Sequence, residues 1–251
     1  MALQQEKIRL EQISKTYERK IALSSLSFSV QKGEMVALIG PSGAGKTTLL
    51  NILASILSPG QGEIHIDGKP LSYYSNQKKR AKKIGVIRQQ FDLVDQLPVI
   101  HNVLAGRLAD WGLLKSLLSL VIPQDKESAV SALERVGLAE KLYEPTSTLS
   151  GGEQQRVALA RLLVQNPEII LADEPVASLD PARAEDVLSL LTKIASEGNQ
   201  TLIASLHSVE YAKKYFDRLI ALKNGEIFFD LPAESVSEDH ISRLYQLKEQ
   251  G

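Results

Sequence analysis

Eight residues decide the fold of this chain: Gly40-Pro41-Ser42-Gly43-Ala44-Gly45-Lys46-Thr47, which fit G-x-x-x-x-G-K-[ST] at every fixed position. An apolar run at residues 35–39 precedes them and a helical pattern at residues 46–56 follows, which predicts a strand, a loop and a helix in that order. Glycines let backbone N–H groups converge on phosphate oxygens, and the helix start adds partial positive charge. The stretch therefore predicts a phosphate-binding loop, with Lys46 reaching the β- and γ-phosphates and the Thr47 hydroxyl placed to bind Mg²⁺.

The composition describes a globular chain of 251 residues, in which 29 Lys and Arg face 30 Asp and Glu. This near-neutral balance gives no footprint of nucleic-acid binding. The absence of cysteine excludes a disulfide framework and a thiolate metal site, and it suits a reducing compartment. The N-terminus shows no signal-peptide pattern, and the most apolar stretch, residues 113–122, has about half of the roughly 20 residues that a membrane span needs. We therefore expect a cytosolic chain.

Two kinds of apolar pattern predict two kinds of sheet. Alternating runs at residues 8–11, 26–30 and 63–67, punctuated by turns, predict half-buried antiparallel strands. Solid apolar runs predict strands that are buried on both faces of a parallel sheet, at residues 35–39, 84–87, 169–172 and 202–206. Helical patterns at residues 126–136 and 181–196 accompany them, and strand signals vanish between residues 96 and 148. The chain is therefore predicted to be an α/β protein with a helical insertion.

Each solid run ends at polar residues that are capable of chemistry. The runs lead to the loop that carries Lys46, to Gln89, to Asp173-Glu174 and to His207. Ligands of open parallel sheets bind outside the carboxyl ends of the strands, so these groups are expected to meet at one edge. A carboxylate at the end of a buried strand needs a compensating cation, and Mg²⁺ would serve Asp173. Glu174 then lies one residue nearer the γ-phosphate and could polarise the attacking water as a general base.

A second glycine-rich segment lies a hundred residues downstream: Leu149-Ser150-Gly151-Gly152-Glu153-Gln154. Its Ser150 and Glu153 form an S-x-x-E capping box, which predicts a helix start. Glycines in a first turn weaken a helix, so Gly151 and Gly152 are better explained by close approach of the backbone to an anion.

Together, these two segments resemble the ATP-binding cassette (ABC) family, and the resemblance covers nearly the whole chain with the motifs in the family's order. It implies a P-loop NTPase (RecA-like) core with a parallel sheet, an N-terminal antiparallel β-subdomain and an inserted α-helical subdomain. The implied boundaries are a single domain at 1–251, with the core lobe at 1–95 and 149–251 and the helical subdomain at 96–148.

The resemblance also implies cofactors and roles, with ATP and Mg²⁺ as the bound groups. Tyr17 resembles the aromatic residue that stacks on adenine, Gln89 the glutamine that senses Mg²⁺ and water, and His207 the histidine that touches the γ-phosphate. Because Gln90 directly follows Gln89, either of the two could be this glutamine. Implied catalytic residues are Glu174, His207 and Gln89; implied Mg²⁺ ligands are Thr47, Gln89 and Asp173. ATP contacts are implied for Tyr17, the loop Gly40 to Thr47, Thr48, Ser150, Gly151, Gly152 and Asp180.

The implied assembly is a head-to-tail dimer of two copies, in which Ser150, Gly151 and Gly152 contact the ATP that the partner holds. The implied function is ATP hydrolysis for an importer with separate transmembrane permease subunits and a periplasmic or surface substrate-binding protein, at the cytoplasmic face of the membrane and without nucleic acid. Residues 102–108, 173–180 and 206–212 resemble phosphonate-type importers, which implies phosphonate, phosphite or phosphate as substrate. Another substrate, or a role beside soluble enzymes of phosphonate breakdown, stays open.

Two further segments have local interpretations. The basic run at residues 78–83 predicts a solvated helix face. Trp111 and the leucines that follow it at residues 113–118 form either subdomain core or an exposed docking patch.

Overall fold

The computed structural model describes residues 5–18, 20–177 and 179–246, and their strands form two sheets. The first is antiparallel, in the order β2-β1-β4-β5, with β1 at Glu6–Tyr17, β2 at Lys20–Gln31, β4 at Gln61–Ile66 and β5 at Lys69–Pro70. The second has the order β10-β9-β3-β8-β7-β6, with β3 at Met35–Ile39, β6 at Ile84–Ile87, β7 at Ile169–Asp173, β8 at Thr201–Ser205, β9 at Arg218–Lys223 and β10 at Glu226–Pro232. Its pairings are parallel except that of β10 with β9.

Helices cover these sheets and fill the insertion. They are α1 at Lys46–Leu53, α2 at Gln77–Lys83, α3 at Val99–Leu104, α4 at Leu113–Val121, α5 at Lys126–Arg135, α6 at Gly151–Gln165, α7 at Pro181–Glu197, α8 at Val209–Tyr215 and α9 at Glu238–Tyr245. Helix α1 ends before the predicted residue 56, because Ser55 takes a left-handed backbone conformation with φ 55°. In the described part of the chain, no helix combines the length and the apolar character that crossing a membrane requires.

Burial explains why the two apolar patterns gave two sheets. All four residues from Val36 to Ile39 in β3 are fully buried, and so are the residues of β8, because helices and the other sheet cover both faces. In β1, Ile8 and Leu10 are buried while Arg9 and Glu11 face outward. The predicted α/β fold with both sheets is confirmed, and the antiparallel edge strand β10 was not foreseen.

The segment between β6 and α6 carries helices α3, α4 and α5, and its only β-bridge in the described residues joins Pro98 to Pro145. Asn102 ties the ends of the insertion together: its Oδ1 accepts from the Val94 N–H at 2.7 Å, and its Nδ2 donates to Thr146 Oγ1 at 2.9 Å. The boundaries at 96 and 148 stay a prediction.

The Trp111 region divides between the two predicted alternatives. Trp111 itself is buried and belongs to the core, whereas Leu114, Leu117 and Leu118 of α4 are exposed.

The basic run corrects one prediction. Lys78 and Lys79 are solvated on α2, as expected, but Lys83 is not. Its Nζ lies 2.9 Å from Asp67 Oδ2 and 2.6 Å from Glu168 Oε1, and the buried Lys7 bridges the same two carboxylates. The sequence does not reveal this network, because it joins residues that are far apart in the chain. Lys7 and Asp67, for example, are 60 positions apart.

Candidate active site

The phosphate-binding loop runs from the end of β3 to the start of α1 and folds around its own lysine. Lys46 is only 5% exposed, and its Nζ donates to the Gly40 carbonyl at 2.6 Å and to the Pro41 carbonyl at 3.3 Å. Burial lowers the pKa of Lys46, and the negative charges of Glu174 and Asp173 offset part of that effect. The ammonium is thus held inside the loop by two neutral carbonyl oxygens, which a negatively charged phosphate could replace.

Gly40 shows why the loop needs glycine. Its φ is +139°, and a Cβ there would lie 2.1 Å from the Leu222 carbonyl oxygen of the neighbouring strand β9. No larger residue fits this position without displacing β9.

The acidic pair lies at the end of β7, beside the loop. Asp173 Oδ1 accepts hydrogen bonds from Ser205 Oγ at 2.7 Å and from Thr47 Oγ1 at 3.2 Å. The hydroxyl of Thr47 and the carboxylate of Asp173 therefore converge, and oxygen atoms of these two kinds are the ligands that Mg²⁺ prefers. The residues present fit the ion that the sequence predicted here.

Glu174 and His207 meet across the ends of two strands. His207 Nε2 lies 2.6 Å from Glu174 Oε1, and because a carboxylate only accepts hydrogen bonds, Nε2 carries the proton in this contact. Glu174 has a left-handed backbone with φ 50°, unusual for a residue with a side chain. The turn thereby directs the Glu174 carboxylate toward His207 and leaves Asp173 facing Thr47.

One cavity of about 400 Å³ gathers most of the predicted site. It is lined by Tyr17, Lys20, Ala22, Ser42, Gly43, Ala44, Gly45, Lys46, Thr47, Thr48, Glu174 and His207. Lys20 was missed by the sequence reasoning, because a lysine at the first position of a strand carries no motif. Its Nζ would lie 4.0 Å from a Cβ at Gly43, so it adds positive charge at the loop.

The predicted glutamine lies on the other side of Thr47. A second cavity, of about 370 Å³, is lined by Thr47, Asp173, Gln89 and Gln90 among others. Both glutamines are exposed and both line this cavity, so the choice between them stays open.

The downstream segment forms the start of α6. Ser150 and Glu153 make the predicted capping box: the Ser150 N–H donates to Glu153 Oε2 at 2.8 Å, and the Glu153 N–H donates to Ser150 Oγ at 3.4 Å. Asp180 caps α7 through the Arg183 N–H at 3.1 Å, while the neighbouring Ser178 lies outside the described residues. Ser150, Gly151, Gly152 and Asp180 line neither of the two cavities.

The comparison with known families decides the assignment. Residues 23–177 match the family model described as "ABC transporter". The chain belongs to the ABC transporter family.

Relatives of this cassette agree with that assignment. A protein of Pseudomonas syringae pv. tomato named "Phosphonates import ATP-binding protein PhnC 1" is 48% identical over 90% of this chain and 86% of its own length. A dimeric structure of a bacterial ABC transporter cassette is 33% identical, with a TM-score of 0.78 over 91% of this chain and 100% of that chain. A dimeric ATP-binding cassette in a post-hydrolysis state with ADP and Pi is 31% identical, with a TM-score of 0.75 over the same shares. The predicted family, fold and enzyme class, an ATPase, are confirmed.

Proposed function

We propose that this protein is the ATP-hydrolysing subunit of a transporter that imports phosphonates or a related phosphorus oxyanion, such as phosphite or phosphate. The relatives named for phosphonate import support the substrate class. One structural observation supports the hydrolytic role. A single cavity at the carboxyl ends of the strands is lined by Lys46, Glu174 and His207, and Asp173 adjoins it through its hydrogen bond with Thr47.

In the proposed mechanism, the loop binds the phosphates through its backbone N–H groups, and Lys46 exchanges its carbonyl partners for β- and γ-phosphate oxygens. Glu174 then takes the proton of the attacking water, and His207, 2.6 Å away, orients the carboxylate and contacts the γ-phosphate. Tyr17, which is 42% exposed at the rim of the cavity, stacks on the adenine. Mg²⁺ held by Thr47 and Asp173, with Gln89 near, would neutralise charge on the phosphates.

The dimer is proposed from the glycines of α6. A Cβ at Gly151 would meet nothing within 4 Å, and one at Gly152 would meet only Arg183 Cδ at 3.7 Å. Their own chain therefore does not require glycine at either position. Neither has the positive φ that favours glycine. We attribute them to the ATP of a second copy, packed head to tail, which Ser150 and both backbone N–H groups would contact.

Hydrolysis would reopen this dimer. The motion would pass through the Gln89 region and the helical subdomain at 96–148 to separate membrane subunits. The protein would thus act peripherally at the cytoplasmic face of the membrane, with a substrate-binding protein on the far side.

The test of the hydrolytic role is Glu174→Gln, compared with Glu210→Gln, which changes an exposed glutamate of α8. We expect Glu174→Gln to bind ATP like the wild type, to lose about 100-fold or more in turnover and to accumulate a closed dimer. Binding, phosphate release and size-exclusion chromatography measure these three effects. Turnover like that of the wild type in Glu174→Gln would overturn the assignment of the base.

The substrate class is tested in proteoliposomes that hold the protein, its membrane subunits and its binding protein. We expect methylphosphonate, phosphite or phosphate to stimulate ATP hydrolysis, and sulfate to leave it at the basal rate. Equal stimulation by sulfate would contradict the phosphorus class.

A further inference from the structure

Ser205 occupies the last position of β8, directly beside the acidic pair. The parallel register of β7 and β8 pairs Ser205 with Asp173, and the Ser205 side chain is fully buried. Its Oγ donates to Asp173 Oδ1 at 2.7 Å and accepts from the Glu174 backbone N–H at 2.9 Å. One hydroxyl thus contacts both acidic residues.

The two hydrogen bonds have defined directions. The Asp173 carboxylate can only accept and the Glu174 N–H can only donate, so the Ser205 proton must point to Asp173 while a lone pair faces Glu174. A side chain without a donor and an acceptor cannot make both contacts. In a position without solvent access, loss of the hydroxyl also leaves the Glu174 N–H without this partner.

The backbone of Glu174 gives this contact its importance. With φ 50°, Glu174 occupies a region that costs a residue with a side chain free energy and persists only when its surroundings hold it there. The bond to Ser205 fixes the amide at that turn. On the other side, Asp173 Oδ1 also accepts from Thr47 Oγ1 at 3.2 Å. A continuous set of hydrogen bonds therefore joins the Glu174 turn, through Ser205 and Asp173, to the phosphate-binding loop.

We propose that Ser205 is a positioning residue for ATP hydrolysis: its hydroxyl sets the Asp173 carboxylate for Mg²⁺ and holds the Glu174 turn that aims the general base. This inference rests on the proposed roles of Asp173 and Glu174. It assigns no contact with ATP to Ser205, which acts through its two neighbours.

The experiment compares Ser205→Thr with Ser205→Val. Threonine and valine have nearly the same shape and differ in the hydroxyl, so crowding in the buried site affects both alike. We expect Ser205→Val to lower kcat about 10-fold and to raise the Mg²⁺ concentration for half-maximal hydrolysis about 10-fold, as loss of a hydrogen bond to a metal-binding carboxylate does. The KM for ATP should stay unchanged, and Ser205→Thr should recover most of both losses.

A second readout does not depend on turnover. In the Glu174→Gln background, Mg²⁺ is titrated against each Ser205 variant with ATP bound, and the affinity is measured by calorimetry. We expect valine to weaken Mg²⁺ binding about 10-fold and threonine to preserve it. Thermal unfolding of the free proteins establishes that each variant is folded.

The outcomes separate this inference from the proposed function. If Glu174→Gln alone hydrolyses ATP like the wild type, the assignment of the base fails. If Glu174→Gln is inactive but valine and threonine behave alike in kcat and Mg²⁺ dependence, the role of Ser205 is overturned and the proposed function stands.

Discussion

The phosphate-binding loop and the start of α6 are both glycine-rich helix entrances, yet their surroundings differ. In the loop, the same chain packs closely against Gly40 and Gly45: a Cβ at Gly45 would lie 2.6 Å from the Ala22 carbonyl oxygen, and Lys46 is buried. At the start of α6, Ser150 is exposed and Gly151 faces open space. The first helix entrance is packed against its own chain. The second is a capped helix start that no other part of the described chain covers.

This difference teaches how one glycine-rich pattern can serve two purposes. In the loop, the fold itself requires glycine, and we propose that glycine also lets the backbone approach the phosphates. In α6, the fold does not require glycine, which weakens a helix, so we propose that its reason lies in binding. The predictions below test this separation.

The largest effect is expected from Lys46→Ala and Ser150→Arg. Each should lower ATP hydrolysis about 100-fold or more when both subunits of the dimer carry the same change. Lys46→Ala should also weaken ATP binding, whereas Ser150→Arg should spare binding by the monomer. A mixture of the two variants is decisive, because in a head-to-tail dimer one site then pairs an intact Lys46 with an intact Ser150. We expect the mixture to hydrolyse ATP faster than either variant alone.

Steady-state phosphate release across mixing ratios measures this recovery. A mixture with Ser150→Arg replaced by the double variant, which carries both changes, is the matched control and should show none. If the first mixture also shows no recovery, each chain completes its own site and the comparison between the two entrances fails.

The next effect separates stability from activity at two glycines. Gly40→Ala should lower the free energy of unfolding by about 2 kcal/mol or more, because of its positive φ and the Leu222 carbonyl oxygen at 2.1 Å. Gly151→Ala should raise it by about 0.5 kcal/mol, since alanine favours a helix. Its methyl group should nevertheless lower hydrolysis about 10-fold by obstructing the partner's nucleotide.

Denaturant unfolding and turnover, measured on both variants, check this contrast. A loss of stability in Gly151→Ala, or turnover equal to the wild type, would show that its glycine does not serve a partner.

The smallest effect concerns the ion network of Lys7, Asp67, Lys83 and Glu168, which joins β1, the β4–β5 turn, α2 and the start of β7. Burial acts to raise the pKa of Asp67, but hydrogen bonds from Lys83 and Lys7 outweigh it and the pKa lies below its usual value; the same holds for Glu168. Carboxyl groups whose pKa is lowered in the folded state stabilise the protein at pH values above their pKa in the unfolded state. That contribution is fully present at pH 7 and is lost as the pH falls below about 4.

Glu168→Gln should therefore cost about 1 kcal/mol of unfolding free energy at pH 7, and less near pH 3, because Glu168 is half exposed. Turnover should stay unchanged, since the network lies at the amino end of the sheet. Glu140→Gln, at an exposed glutamate, is the control. An equal loss at both pH values would contradict the charge-based explanation.

Sequence patterns predicted most of the fold because their signals are local. The solid runs of β3 and β7, the caps at Ser150 and Asp180 and the loop at Gly40 each depend on neighbouring residues, and all were found where expected. Helix ends were less certain, as α1 shows. Contacts between distant residues leave no local signal: the pattern predicts a solvated Lys83, and nothing in it points to Lys20 or Ser205.

By itself, the sequence predicted a phosphate-binding loop at Gly40 to Thr47, placed acidic and histidine residues at the ends of its buried strands, and showed the resemblance to ABC cassettes. Only the tertiary structure decided that Asp173 meets Thr47, that His207 meets Glu174 and that Ser205 contacts both acidic residues. The physical reason is that motifs and caps form within a few residues, whereas these contacts depend on the register of parallel strands separated by tens of residues. That register places one buried hydroxyl against the Asp173 carboxylate and the Glu174 backbone N–H.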